Sequence, residues 1–335
     1  MGLIKNDDSG KKEKYLLKET GKIKIYDLFQ RSAVILVLFL AILVFSLLSP
    51  YFFTLRNIYA IGLTVSVIGI ICIGQTLCIL IRGFDLSVGA CSAFCGMLVA
   101  FFTAKLDFPY VIAVILGLIV GALIGLINGL LITKGRINPF ITTMSMWFIL
   151  AGAVFILSRG YAIVINTKEF IFLGTTKLFG IPLPLIILII LYIIFELTLQ
   201  NSVFGRHVYV TGGNPQAAKI AGIDINSITL KVYMLSSTLA AFGGVILTSR
   251  MGSAQVTAGS SYPLGSIAAV VLGGTILTGG KGKLSGTIVG VLIIGILTNG
   301  LIMLGMSSAY RDITTGVVLL LAVLFQNLRY GGRLK

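Results

Sequence analysis

The sequence predicts an all-α integral membrane protein of about ten transmembrane helices. Three observations carry that reading. The 335-residue chain is 57% hydrophobic and only 11% charged, with a mean hydropathy of +1.03, whereas a soluble domain is nearer one quarter charged because its surface faces water. The apolar residues fall in long uncharged runs, not in the alternating ten-residue segments of a β-barrel. Forty glycines are scattered among these aliphatics, as expected of helices that pack closely inside lipid.

Taken in order, residues 1–31 carry eight Lys/Arg and five acids without an apolar face. They are expected to form a cytoplasmic N-terminal tail, disordered apart from a short helix near 23–29. A secretory signal would place a shorter apolar core after a brief basic start; the run 32–49 is longer, bulky and bounded by Pro50. It is read as the first span. The others are 57–81, 86–104, 108–133, 137–158, 178–195, 232–249, 264–279, 284–304 and 313–328, the last of them short. They make up a transmembrane domain over 32–328, followed by a cytoplasmic tail at 329–335. From a cytoplasmic start, nineteen Lys/Arg fall inside and seven outside, the bias of the positive-inside rule. The net charge of +15 is thus topological and needs no nucleic-acid partner. The stretch 251–280 is uncharged but rich in Gly, Ser and Pro, which predicts an outer loop followed by a short or broken helix.

Gly117, Gly121, Gly125 and Gly129 recur every fourth residue. They share one helix face, where another backbone can come close; this is expected to be static packing, a moving contact being the alternative. Leu126–Ile132 resembles Leu297–Met303 around Asn128 and Asn299, with four identities in seven. The two copies lie in spans of opposite direction, as in the inverted repeats of transporters.

The chemistry of the chain is first a matter of what it lacks. Asp85, Glu196, Arg311 and Asp312 all fall at span ends, leaving no buried acids to serve as an ion relay. Cys72, Cys78, Cys91 and Cys95 have no histidine neighbours and read as apolar filler, and His207 stands alone. The segment Gly279-Gly280-Lys281-Gly282-Lys283 lacks the spacing and the Ser/Thr of a P-loop, so no metal or nucleotide cofactor is expected on this chain. The longest inner loop, 200–231, holds a short capped helix. Asn214 suits its N-cap, Pro215 its first turn and Gly222 its left-handed end, with Gln216, Ala217, Ala218, Lys219 and Ala221 between. Two alanine-lined turns are too short to be stable alone, so a docking partner is expected.

Gly83-Phe84-Asp85-Leu86-Ser87-Val88-Gly89 resembles the signature of permease subunits of ribose-type sugar ABC importers. Phe204-Gly205-Arg206, Gly213 to Ala218, Ala221-Gly222-Ile223, Ala268 to Thr275 and Gly279 to Gly282 resemble further motifs of that family, from about Asn57 to Asn327. Arg82 departs from it, a small residue being usual there. The resemblance implies a type II-like ABC importer permease. Its partners would be a second permease copy, identical or not, a cytoplasmic ATPase carrying ATP and Mg, an extracytoplasmic sugar-binding protein and membrane lipid. The ATPase would dock on the 214–222 helix, and alternating access would follow from its cycle. Asp85 would cap a helix starting at Leu86 or take part in gating. Gln75, Asn128 and Asn299, the uncharged polar groups inside spans, are candidates for the sugar pathway, though each could instead bond a neighbouring helix. Ribose is the first expectation for the substrate. An ion-coupled secondary transporter of a small polar solute is the alternative, and a membrane enzyme is disfavoured because no His/Asp/Glu cluster gathers at one face.

Overall fold

The structure is a computed structural model that describes residues 34–330. The expected tail at 1–31, its helix near 23–29 and residues 331–335 lie outside the described residues. Among the described residues, eight helices are long and apolar enough to cross a membrane. They are α2 (Leu55–Leu80), α3 (Val88–Lys105), α4 (Tyr110–Thr133), α5 (Pro139–Ser158), α7 (Leu183–Asn201), α10 (Ile225–Met251), α12 (Leu284–Met303) and α13 (Ser308–Tyr330). Two shorter apolar helices, α1 (Val34–Leu48) and α11 (Tyr262–Leu272), accompany them. Outside the spans lie α6 (Lys168–Thr175), α8 (Val203–Gly213) and α9 (Pro215–Ile220), with β1 (Ile163–Val164), β2 (Lys177–Leu178), β3 (Ile181–Pro182) and β4 (Ser253–Ala254).

Side-chain caps explain several boundaries. Thr54 accepts a bond from Asn57 N at the start of α2, and Asn138 accepts from Phe140 N just ahead of α5. Asp224 accepts from Asn226 N and Ser227 N, which starts α10 seven residues before the apolar run at 232. The expected span 178–195 begins later, at Leu183, because a β2–β3 hairpin occupies 177–182. The last span is longer than expected, since α13 covers 23 residues. The expected span 264–279 is corrected: α11 has only 11 residues, and the chain beyond Leu272 turns through Gly274, Gly279, Gly280 and Gly282, all at positive φ.

Two ends of the bundle can be told apart by contacts. At one end β1 pairs with β4, and Gly174 of α6 lies against Arg250 at the close of α10. At the other, Gly280 N donates to the Leu80 carbonyl at 2.8 Å, and Tyr209 of α8 donates to Gly282 O at 2.8 Å. The segments that the charge count groups together therefore do share an end.

The helices α2–α5 correspond to α10–α13 in reverse direction. α2 packs against α10, α11 and α12; α10 packs in the same way against α2, α3 and α4. The α3–α5 contact recurs as α11–α13. Contacts of Gly295 with Val65, Gly69 with Val291 and Thr76 with Thr287 run α12 antiparallel to α2, while Ala241 against Gly121 and Leu230 against Gly129 run α10 antiparallel to α4. The sequence match around Asn128 and Asn299 thus falls on equivalent helices of an inverted repeat. In each half one helix is preceded by irregular chain, 81–87 before α3 and 255–261 before α11. These helix starts meet each other: a Cβ on Gly89 would strike the Gly259 carbonyl and the Pro263 ring. Irregular backbone at this depth persists because protein covers it. α2 lies at the centre, with 94% of its most apolar stretch buried.

Candidate coupling site and buried signature network

The signature segment begins where α2 ends. Arg82 N donates to Ile79 O at 3.0 Å and Gly83 N to Cys78 O at 2.8 Å, the paired bonds of a Schellman motif with Arg82 at the left-handed position. Its φ is +66°, which costs a side-chain-bearing residue about 1 kcal/mol relative to glycine. Next, a Cβ at Gly83 would strike the Tyr233 hydroxyl. The Phe84 carbonyl accepts from Tyr233 Oη at 3.1 Å and from Thr143 Oγ1 at 3.3 Å, which ties the segment to α10 and α5.

Asp85 is fully buried, which corrects the expectation of no buried acid: the irregular lead-in 81–87 is folded into the bundle and carries the carboxylate with it. Its Oδ1 accepts from Ser87 N at 3.0 Å and from the Ser87 hydroxyl, and its Oδ2 accepts from Ser236 Oγ at 2.8 Å. Asn128 Nδ2 donates to Ser87 Oγ at 3.0 Å. The expectation that Asp85 caps a helix starting at Leu86 is corrected, because α3 starts at Val88 with Ser87 before it and without a side-chain cap bond. Asp85 instead fastens the lead-in to α10, and through Ser87 to α4, using uncharged partners only. Leu86 packs with Ile267, Val271 and Ala322. Ser236 was not singled out by the sequence: one serine in an apolar span carries no linear signal of a partner 151 residues away.

Of the three polar residues inside spans, Asn128 belongs to this network. Its Oδ1 is unpartnered, as are Asn299 Oδ1 and both amide atoms of Gln75, which is fully buried. Buried amides usually find a partner, so each of these atoms keeps an unused hydrogen-bonding capacity. No direct hydrogen bond joins the three side chains among the described residues. Beside Gln75, Thr76 and Thr287 share a hydrogen bond of 3.1 Å between α2 and α12.

The glycine stripe of α4 faces α3 and α10. A Cβ on Gly117 would meet Val99, on Gly121 Ala241, on Gly125 the Tyr233 carbonyl and Met234 Cα, and on Gly129 Leu230 Cα. Missing side chains let the two backbones approach, so dispersion replaces the hydrophobic drive that lipid does not supply.

The loop 200–231 carries more structure than its one expected helix. α8 starts on a Ser202 cap, whose hydroxyl accepts from Gly205 N at 3.0 Å. α9 follows, with Asn214 Oδ1 accepting from Ala217 N at 3.0 Å and a Schellman close through Gly222 N to Lys219 O and Ile223 N to Ala218 O. Gly222 stands at φ +76° with open space around it. One expectation is corrected here: Ala218 is fully buried within this chain and offers nothing to a partner. The accessible face is formed by Gln216, Ala217, Lys219, Ile220 and Ala221. Ile220, 89% exposed, was missed by the sequence reading, since a lone apolar residue at a helix end looks like filler.

α8 is seated on the signature end of α2. Arg82 donates through Nε to Gly212 O and through Nη2 to Gly213 O at 2.8 Å. A Cβ at Gly212 would overlap the Leu80 carbonyl, and one at Gly280 the backbone of Gly213. Three backbone segments therefore touch without intervening side chains. Among the described residues no group of three His, Cys, Asp or Glu could hold a metal ion, and the four cysteines are free and buried.

The chain is 44% identical over 315 residues to the ribose import permease protein RbsC of Bacillus subtilis, covering 93% of this chain and 98% of that protein. It is 40% identical to its Escherichia coli K12 namesake, covering 89% and 93%. It is also 37% identical to the L-arabinose transport system permease protein AraH of Escherichia coli K12, covering 90% and 91%. No solved structure matches the chain. A family profile, described as branched-chain amino acid transport system / permease component, matches residues 57–323, and the chain belongs to that family of multi-pass membrane permeases.

Proposed function

We propose that this chain is the membrane-spanning subunit of an ATP-driven importer of a simple sugar, with ribose or a related pentose as substrate. The observation that carries the reading is the 40 to 44% identity to ribose import permeases over nearly the whole of both chains. The lack of a P-loop motif, and a buried acid, Asp85, that is held by uncharged partners, fit a permease whose energy comes from another chain. The exposed face of α9, with Ile220 at its edge, is of the kind that partners cover. In this reading a cytoplasmic ATPase docks on that face, a second permease copy completes the pathway, and an extracytoplasmic binding protein delivers the sugar. The end bearing Arg82, α8 and α9 faces the cytoplasm in this reading, which the charge bias supports. ATP binding and hydrolysis then alternate access to a pathway near Gln75, Asn128 and Asn299, and this chain is not itself an enzyme.

Reconstitution tests the reading. The chain in proteoliposomes should take up labelled ribose only when ATPase, ATP and binding protein are supplied. Uptake driven by an ion gradient without ATPase would overturn it. Competition by unlabelled ribose, arabinose and leucine assigns the substrate, and displacement by leucine alone would overturn the sugar assignment.

A further inference from the structure

We infer that Arg82 is the positioning strut through which movement of the α9 docking helix reaches the buried Asp85 network; the inference rests on the ATP-driven reading above. Four observations lead to it. Arg82 occupies a backbone position at φ +66°, where glycine would sit without strain, so the conformation gains nothing from its side chain. That side chain acts elsewhere, since the guanidinium forks onto the carbonyls of Gly212 and Gly213, the last two residues of α8. A cation there also complements the negative end of the helix. Gly213 is bonded directly to Asn214, whose side chain caps α9. The strut therefore holds the peptide from which the docking helix starts.

On its other side Arg82 is covalently continuous with Gly83, Phe84 and Asp85. Phe84 O is held by α10 and α5, Asp85 by Ser236 of α10, and Ser87 by Asn128 of α4. The junction has little slack, because Leu80, Gly212, Gly213 and Gly280 meet backbone to backbone. A displaced α8–α9 turn cannot be absorbed by soft side chains at this point. It must either carry the end of α2 with it or break the two Arg82 bonds. Two discrete arrangements of one packed junction are what a coupling route requires.

The test compares Arg82→Gly and Arg82→Lys in the complete transporter with ATPase and binding protein. Glycine suits the backbone, and relief of the left-handed strain offsets part of the two lost guanidinium bonds, so Arg82→Gly should insert normally, with thermal stability close to the parent. ATPase co-purification should be retained. Stimulation of ATP hydrolysis by loaded binding protein, and sugar uptake, should fall roughly tenfold, within the range of residues along a coupling route. Arg82→Lys keeps the charge but not the fork and should fall between. Parent-like uptake and stimulation in Arg82→Gly would overturn the inference. So would loss of ATPase binding, which would make the guanidinium a scaffold for docking and not a transmitter. A parent that transports without any ATPase would sink the functional reading instead, and the two failures are thus separable.

Discussion

Replacing Asp85 by alanine or by asparagine separates its hydrogen bonds from its charge. Asp85 accepts three hydrogen bonds, from Ser87 N, the Ser87 hydroxyl and Ser236 Oγ. In Asp85→Ala all three donors lose their acceptor. The two hydroxyls can turn; Ser236 lies within a helix and can bond to its own preceding turn. The Ser87 amide cannot turn, and a buried N–H without a partner costs about 1 to 3 kcal/mol. The space left by the carboxylate adds about 1 kcal/mol, because the walls of a small void no longer pack against anything. The total for alanine is about 3 kcal/mol. In Asp85→Asn the amide oxygen still serves Ser87, while the amide nitrogen donates to a rotated Ser236 hydroxyl, so the cost should stay within about 1 kcal/mol. At roughly 2 °C per kcal/mol for a large domain, alanine should lower the midpoint of heat unfolding in detergent by about 6 °C and asparagine by about 2 °C or less. Fluorescence-detected size exclusion after a temperature ramp reads both. Equal stability of the two variants would refute the reasoning, because it would mean that the network does not hold the lead-in of α3.

Arginine at neighbouring positions of α9 should have opposite effects. Ala217→Arg, on the accessible face, should leave the permease stable and abolish ATPase co-purification; Ala218→Arg should destabilise the permease itself by several kcal/mol, since it forces a charge into a position fully buried by its own chain. Retained ATPase binding in Ala217→Arg would reassign the docking surface. Single cysteines near Lys168 and near Gln216 should label from opposite sides with an impermeant thiol reagent, the first from outside. The four native cysteines are buried and should contribute little background. Labelling of both positions from one side would discard the topology.

Much of this was legible in the sequence. Uncharged runs mark most of the spans because lipid tolerates little else over that length. Asn214, Pro215 and Gly222 mark α9 because capping chemistry is local. The four-residue glycine spacing of α4 marks a packing face, but its partner α10 starts more than ninety residues later, and no local rule names it. The inward face of Ala218 was illegible for the same reason: a six-residue helix with two adjacent alanines and one large apolar residue, Ile220, has no apolar stripe to say which side is down. Ser236 and the fork of Arg82 are long-range facts. Arg82 shows only as a misfit residue in a turn, and its purpose requires α8, 130 residues away.

The enclosure of α2 bears on how the protein is made. In the finished bundle this helix barely meets lipid, with 94% of its most apolar stretch covered by other helices, so its hydrophobicity is not needed to suit its final surroundings. Yet a chain is synthesised from its N-terminus, and α2 leaves the ribosome well before α10, α11 and α12 exist to surround it. During that interval it must partition into the bilayer on its own merits, carrying Ser66, Gln75 and Thr76 as a cargo of polar groups without their later neighbours. Its length of 26 residues, and its freedom from charge beyond Arg56 in the first turn, are therefore best understood as a provision for insertion. Polar substitutions in α2 that the folded bundle could accommodate would still reduce the amount of protein reaching the membrane.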